Sequence, residues 1–191
     1  PLLESEWTVV GAVDSALEEG ETAASQLAMM FSICDEALSE DTHVTLILRL
    51  LCGLSPAEIA RAFLVETQTI DRRLHRGRTR LQQLGALVDV RDIADRDPRQ
   101  RSVMQALYLL FNEGFHGSNP ENPLLPGMCA DALRLVELLL DSPSTRHAEV
   151  HALAALFCFH AARLETKLDA DGVFVPLADQ DLLELADRGK G

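Results

Sequence analysis

The sequence predicts an all-α protein, and three observations lead to that prediction. Hydrophobic residues make up 47% of the 191-residue chain, enough to bury a core, while aromatic residues make up only 5%. Leu and Ala dominate and runs of β-branched residues are few, a composition that favours helices over strands. Apolar residues also recur at helical spacing in successive stretches of the chain.

The N-terminal third begins with an acidic stretch and continues with two helical patterns. Residues 1–25 are acidic and weakly patterned, and we interpret them as a solvated lead. Helical spacing appears at 26–33 and again at 42–51. Ser39 is a candidate N-cap for the second of these helices, and Gly53 is its predicted C-terminal stop.

The next stretch predicts a helix-turn-helix. Ser55 can cap a helix, Pro56 suits its first position, and Glu58 completes a capping box. This short helix runs to about Phe63, and a longer helix begins at about Thr67. Two helices of unequal length joined by a tight turn are typical of this motif.

The apolar positions of the motif predict how it packs. The expected core-facing residues are Ile59, Ala60 and Phe63 in the short helix and Ile70, Leu74 and Leu81 in the longer one. Leu64 or Val65 should fill the turn between them. Gly77 interrupts the longer helix and should cost it about 1 kcal/mol of stability.

The charge of the chain is unevenly distributed. The formal net charge is −13 overall and −9 over residues 1–54, but +3 over residues 55–82. Five arginines of the longer helix supply most of this positive island, namely Arg72, Arg73, Arg76, Arg78 and Arg80. On a helical wheel they lie opposite or beside the apolar stripe.

A helix with an apolar back and an arginine front fits the DNA major groove. The N-terminal part of the second helix usually reads bases, which points to Gln68, Thr69, Arg72 and Arg73 as candidate readers. Arg76, Arg78 and Arg80 are then candidate contacts to the phosphate backbone. The alternative is an ordinary solvated arginine face, since most charge runs on helices are no more than that.

The C-terminal half predicts a second helical domain at 102–191, after a charged linker at 89–101. Amphipathic patterns cover 102–115 and 128–142, and the pattern at 148–167 is apolar nearly all round, which predicts a buried helix. A last helix should follow with Asp179 as its cap. Asn112, Glu113 and His116 are either helix-end caps or part of a regulatory pocket.

No pattern of catalytic residues is present. The sequence shows no Ser-His-Asp or Cys-His set, no paired carboxylates and no phosphate-binding glycine loop, so we expect neither an enzyme nor a cofactor. The four cysteines fit no metal or redox spacing, and the His-Ala-Glu-Val-His stretch does not match a zinc-protease helix, so no metal site is expected. The lack of a signal peptide or membrane span predicts a cytoplasmic protein.

The helix-turn-helix stretch resembles region 4 of extracytoplasmic-function (ECF) RNA polymerase sigma factors. The resemblance is carried by "LRLLCGLSPAEIARAFLVETQTIDRRLHRGRTRLQQLG" and spans about residues 26–88. Further on, "ALYLLFNEGF", "CADALRLVELL", "ALAALFCFHAAR" and "DADGVFVPLADQD" resemble the helical, tetratricopeptide-like C-terminal extension of one subgroup. The sequence contains no counterpart of sigma region 2, so the chain is either a fragment or unable to initiate transcription alone.

This resemblance implies an alternative sigma factor. Its region 4 would bind the promoter −35 element while docking on the β-flap of core RNA polymerase, and its C-terminal domain would modulate activity through a regulatory protein or ligand. Asp71 departs from the family, whose members usually carry a neutral or basic polar residue there. Two alternatives stay open: a stand-alone helix-turn-helix regulator that binds operators as a dimer, and a helical-repeat scaffold for protein interactions.

Overall fold

A computed structural model describes residues 23–83, 97–117, 124–164, 166–167 and 175. These residues form seven helices and no strand, which confirms the all-α prediction. The helices are α1 (Ala23–Ile33), α2 (Glu40–Leu50), α3 (Pro56–Ala62), α4 (Thr67–Leu81), α5 (Arg99–Phe115), α6 (Pro126–Asp141) and α7 (Ala148–Ala161). The tetratricopeptide-like character of the C-terminal part stays a prediction.

The ends of α2 follow the sequence signals. Ser39 is the N-cap residue, and its hydroxyl lies 2.9 Å from that of Thr42. The helix ends at Leu50, and Gly53 has a φ of +73°, a left-handed conformation that glycine adopts without a Cβ penalty. This turn leads directly into α3.

The two parts of the chain share one hydrophobic core. Helix α2 packs against α4 on one side and against α5 on the other, and α5 packs in turn against α6 and α7. A single cluster of buried side chains therefore runs from Phe31 and Leu48 to Val103 and Val136. The helix-turn-helix is thus seated on the C-terminal helices through α2.

Helix α5 begins inside the stretch that the sequence predicts as a linker. Asp97 accepts hydrogen bonds from the backbone N–H and the guanidinium of Arg99, at distances from 2.5 to 2.9 Å. These bonds hold the pKa of Asp97 below its ordinary value. The Arg99 guanidinium also lies 5.8 Å from the ring centroid of Phe31 on α1, so the start of α5 is fixed against the N-terminal helices.

Helix α7 differs from the prediction of a fully buried helix. Only Val150 and Phe157 are buried along it, while Phe159 is 79% exposed and Leu156 is 40% exposed. The prediction was wrong because an apolar composition does not by itself supply partners for every face.

The predicted last helix, with Asp179 as its cap, lies outside the described residues. Among the helices that are described, none combines the length and apolarity that a membrane span requires.

Candidate nucleic-acid interface

The first helix of the motif, α3, has the capping box that the sequence predicts. The Ser55 hydroxyl accepts a hydrogen bond from the Glu58 backbone N–H at 3.3 Å, and the Glu58 carboxylate accepts one from the Ser55 N–H at 2.6 Å. These two bonds with Ser55 lower the pKa of Glu58. Pro56 occupies the first turn, so all three start signals are confirmed.

The turn between α3 and α4 is closed by backbone hydrogen bonds. The Val65 N–H bonds to the Ala60 carbonyl at 2.9 Å, a helix-ending pattern that requires a left-handed residue just before it. Leu64 supplies that residue with a φ of 54° and is 92% exposed. Of the two residues predicted to fill the turn, Leu64 or Val65, it is Val65 that is partly buried and packs against the core.

The inner side of α4 is closely packed on α2. Ile70 and Leu74 are buried as predicted, and Leu81 is partly buried. Gly77 is also buried, and a Cβ placed there would lie 2.6 Å from a terminal carbon of Leu46. Gly77 therefore lets α4 approach α2 closely, which is a packing reason for a residue that the sequence marks only as a cost.

The outer side of α4 presents part of the predicted DNA-binding set to solvent. Gln68, Arg72 and Arg76 are exposed, at positions four residues apart along one side of the helix. Thr69 is half-buried beside Gln68. Arg78 is also half-buried, closer to the end of the helix. The structure thus brings Gln68, Arg72 and Arg76 together as one polar and cationic edge, which we call the reading edge.

Arg73 lies on a different side of α4 and is engaged within the protein. Its Nη2 lies 2.5 Å from Oδ2 of Asp41 on α2, and its guanidinium carbon lies 5.0 Å from the ring centroid of Phe63. The Arg73 side chain is only 18% exposed. Its contacts fix α4 against both α2 and the end of α3.

Arg80 is also engaged within the protein. It binds Asp35 through two hydrogen bonds, from Nε at 2.7 Å and from Nη2 at 3.0 Å. This bidentate pairing lowers the pKa of Asp35 and raises that of Arg80. The backbone carbonyl of Asp35 accepts a 2.8 Å hydrogen bond from Nε2 of His43, whose Nδ1 lies 3.2 Å from the Ser102 hydroxyl on α5. A chain of polar contacts therefore runs from the end of α4 to the C-terminal helices.

Sequence reasoning did not find Asp35, Asp41 or Phe63 as partners of the arginines. Asp41 is 32 residues from Arg73 and Asp35 is 45 residues from Arg80, so no local spacing links them. The available signal was indirect: both acids lie in an acidic N-terminal stretch, and opposite charge favours packing of that stretch near the positive island.

A second candidate site is an aromatic cavity of about 230 Å³ between α5 and α7. Its lining includes Tyr108, Phe111, Phe115, Phe157, Leu156 and His160, together with Asn112 and His116 from the stretch that the sequence singles out. Glu113 from the same stretch is buried. The rings of Phe111 and Phe157 stack with their centroids 4.2 Å apart.

Lys167 contacts two residues that line this aromatic cavity, Phe115 and His116. It is 5% exposed, its ammonium donates to the Phe115 carbonyl, and Nζ lies 3.3 Å from Nδ1 of His116. Burial lowers the pKa of Lys167 to about 8. The pKa of His116 is lowered first by burial and then by the charges of Lys167, His160 and Arg163. Among the described residues, no three His, Cys, Asp or Glu side chains converge as a metal-ion site would require.

Comparisons with known proteins place two families on this chain. Residues 36–81 match the family described as sigma-70, region 4, and residues 99–188 match a family of unknown function, DUF6596. An uncharacterised protein of Rhizobium meliloti (strain 1021) is 34% identical over 155 residues, which are 81% of this chain and 36% of that protein. The chain thus spans about a third of the length of this relative. The search of solved structures gave no match.

The first match coincides with the structural site. The region from 36 to 81 begins beside Asp35 and ends at Leu81, so it contains α2, the helix-turn-helix and the whole reading edge. The family described as sigma-70, region 4 is a DNA-binding regulatory domain. Residues 36–81 are thus similar to sigma-70 region 4, and residues 99–188 are similar to DUF6596.

Proposed function

We propose that this chain belongs to an alternative sigma factor and recognises the promoter −35 element through the reading edge of α4. One observation carries the proposal: Gln68, Arg72 and Arg76 are exposed together on the second helix of a helix-turn-helix that matches sigma-70 region 4. Gln and Arg are the side chains best suited to bidentate contacts with adenine and guanine in the major groove. The resemblance of residues 26–88 to region 4 of ECF sigma factors supports the proposal that the factor belongs to the ECF group.

The predicted DNA-binding residues divide into two roles in this proposal. Gln68, Thr69 and Arg72 contact base edges, because they lie in the first part of the helix that enters the groove. Arg76 and Arg78 contact phosphates farther along the helix. Arg73 and Arg80 act indirectly, since their guanidinium groups already pair with Asp41 and Asp35 and hold α4 in place.

Docking on core RNA polymerase, through its β-flap, is the second part of the proposal. The net charge of −13 repels free duplex DNA from most of the chain, so the small positive island gives weak binding alone. A polymerase subunit that contributes binding energy would overcome this repulsion. Acidity elsewhere then discourages the factor from binding DNA without polymerase.

The C-terminal helices would modulate this activity through α2. Helix α5 packs on α2, and the contacts Ser102–His43–Asp35–Arg80 join α5 to the end of α4. A change in the C-terminal part that shifts α5 would therefore reach the helix that carries the reading edge. Coupling of this kind requires that α5 and α2 have two discrete arrangements whose equilibrium both sites bias.

Selection of DNA from a random duplex library tests the proposal. Core RNA polymerase is incubated with this chain, and duplexes retained only in the presence of the chain are sequenced. The proposal predicts one short asymmetric motif, whose retention is lost in Arg72→Ala/Arg76→Ala. A two-fold symmetric motif that the chain selects without polymerase would instead indicate a dimeric regulator. Absence of any motif, together with no binding to polymerase or its β-flap, would contradict the sigma assignment.

A further inference from the structure

The aromatic cavity between α5 and α7 has the size of a binding site for a small cyclic molecule. Its volume is about 230 Å³. Engineered apolar cavities of about 150 Å³ in proteins bind benzene, whereas pockets for drug-sized ligands begin at about 300 Å³. The cavity lies between these two sizes, so it suits a single ring that carries a short substituent.

The apolar part of the lining consists of rings in fixed positions. Phe111 and Phe157 are both buried, and their rings stack at an interplanar angle of 6°. Two other lining side chains reach solvent, since Tyr108 is 45% exposed and Leu156 is 40% exposed. The cavity is therefore open to solvent beside these two residues, and its rigid aromatic lining favours a planar ring over a flexible chain.

His116, which lines the cavity, can offer an N–H donor to a ligand. Burial, followed by the charges of Lys167, His160 and Arg163, lowers its pKa, so the ring is neutral at pH 7 and carries one proton. Its Nδ1 lies 3.3 Å from Nζ of Lys167. Because an ammonium group can only donate, Nδ1 accepts this hydrogen bond and the ring proton is on Nε2. The donor that His116 can offer is therefore Nε2–H.

His160 can offer a second donor of the same kind. Burial and the charges of Arg163 and Lys167 lower its pKa, so this ring is also neutral at pH 7. Its Nδ1 is buried, and no described residue forms a hydrogen bond with it. A buried N–H without a partner is rarer than a buried acceptor without one, which places the ring proton of His160 on Nε2. Two neutral imidazoles of the lining thus supply a pair of Nε2–H groups, a donor set that an acceptor with two oxygens can satisfy.

The electrostatic surroundings of the two histidines favour an anion. Lys167 and Arg163 both lie close enough to lower the pKa of each imidazole by their charge. With a pKa of about 8, Lys167 is still mostly protonated at pH 7, and its Nζ lies 3.5 Å from the ring centroid of Phe115 in the lining. The acid on the same stretch of α5, Glu113, is buried and does not line the cavity. A negative group is therefore attracted to this part of the cavity, although the whole chain carries a net charge of −13.

We propose that the aromatic cavity is a binding site for a small aromatic carboxylate. The ring of the ligand packs against Phe111 and Phe157, and its carboxylate accepts hydrogen bonds from the Nε2–H groups of His116 and His160. Hydrogen bonds to a charged acceptor are stronger than those between neutral groups, so the carboxylate fixes the orientation of the ring. This inference goes beyond the promoter proposal and does not depend on it.

Titration of the full-length chain with benzoate at pH 7 tests the proposal. Two probes are matched to benzoate, because benzyl alcohol has the ring without the charge and cyclohexanecarboxylate has the charge without the flat ring. Saturation-transfer NMR measures the dissociation constant of each probe. We expect a Kd of about 1 mM or lower for benzoate, as for efficient ligands of this size, and an affinity about tenfold lower for both matched probes. No binding of benzoate, or equal binding of benzoate and either matched probe, would overturn the proposal.

Leu156→Trp tests whether benzoate binds in the cavity. The larger side chain takes up space in the lining at a position that is 40% exposed, so the Kd for benzoate should rise about tenfold or more. Phe159→Trp is the matched control, since Phe159 lies on the same helix, is 79% exposed and is not a lining residue. It should change the Kd by less than about twofold. Equal effects of the two substitutions would show that benzoate binds elsewhere and would overturn the proposal.

The variant His116→Phe/His160→Phe decides the case in which Leu156→Trp fails to fold, as judged by thermal unfolding. Phenylalanine keeps an aromatic ring but has no N–H donor, so the affinities of this variant for benzoate and benzyl alcohol should differ by less than about twofold. A tenfold preference for benzoate that survives in the double variant would overturn the proposal. If benzoate does not bind and Leu156→Trp converts a dimer into a monomer in size-exclusion chromatography, a second copy of the chain fills the cavity and the proposal is wrong.

Discussion

Arg73 on α4, the second helix of the motif, and Asp41 on α2 form an ion pair with 2.5 Å between Nη2 and Oδ2. The same guanidinium stacks on Phe63 at the end of α3. Arg73 thus joins α4, which carries the reading edge, to α2 and to the end of α3. We assign Arg73 a positioning role on this basis.

The substitution Asp41→Asn separates positioning from direct DNA contact. If Asp41 only holds Arg73 in place, its neutralisation weakens DNA binding by about threefold, which corresponds to a coupling of about 0.6 kcal/mol. Simple electrostatics predicts the opposite, because the substitution removes a negative charge near DNA. Fluorescence anisotropy with the selected duplex measures the difference.

Arg73→Ala should lower the free energy of unfolding by about 1 kcal/mol. The double variant Asp41→Asn/Arg73→Ala should lower it by less than the sum of the two single effects, because both substitutions break the same ion pair.

Gly77→Ala should destabilise the protein although alanine is the better helix former. Alanine gains about 1 kcal/mol of helix propensity, but its Cβ would lie 2.6 Å from Leu46, and overpacking of a core costs about 1–3 kcal/mol. We expect a net loss of about 1 kcal/mol in urea unfolding. Leu46→Ala makes room for the new methyl group, so adding Gly77→Ala to that variant should be neutral or stabilising. A stabilising effect of Gly77→Ala in the otherwise unchanged protein would show that α4 and α2 are not in close contact.

Leu64→Gly should stabilise the helix-turn-helix. Leu64 has a left-handed backbone and a side chain that is 92% exposed, so the substitution relieves conformational strain and removes little packing. The expected gain is up to about 1 kcal/mol. Ala57→Gly, at an exposed position inside α3, is the control and should destabilise by up to about 1 kcal/mol, because its backbone is helical and does not favour glycine. Thermal unfolding of both variants measures the difference, and a lower melting temperature for Leu64→Gly would contradict the turn geometry.

Lys167 should make stability depend on alkaline pH. Burial lowers its pKa from 10.5 to about 8 in the folded protein, so between these values the unfolded chain binds more protons than the folded one. The free energy of unfolding then receives a contribution that increases as pH rises from about 8 to 10.5. The raised thiol pKa values of Cys34, Cys52 and Cys129 act in the opposite direction above pH 9. The comparison of the unchanged protein with Lys167→Met isolates the lysine, because the thiols are common to both.

Urea unfolding of these two proteins at pH 7.5 and pH 10 is the measurement for Lys167, with both pH values chosen around the window that its pKa defines. The free energy of unfolding of the unchanged protein, relative to that of Lys167→Met, should be larger at the higher pH than at the lower one. A difference that is the same at both pH values would show that the Lys167 ammonium is hydrated rather than buried.

Sequence signals that act within one helix or turn predicted most of the helices. The roles that they did not predict depend on contacts between residues far apart in the sequence. The capping box of Ser55 and Glu58 and the glycine stop at Gly53 operate within four residues, so the sequence displays them directly. The roles of Arg73 and Arg80 depend on acids that are 32 and 45 residues away, and the role of Gly77 depends on Leu46. A helical wheel therefore finds the arginines but cannot distinguish those that face solvent from those that pair within the protein.

The affinity of charge-matched variants for the selected duplex, in the presence of core RNA polymerase, tests the central claim most directly. Arg72→Ala and Arg76→Ala each remove one cation from the reading edge, and Arg101→Ala removes one from the exposed surface of α5. We predict a loss of about tenfold or more for Arg72→Ala, in line with about 1–3 kcal/mol for a bidentate base contact, and a change below about twofold for Arg101→Ala. Equal losses in all three variants would show that α4 attracts DNA by net charge alone, and would contradict the assignment of α4 as the helix that reads the promoter.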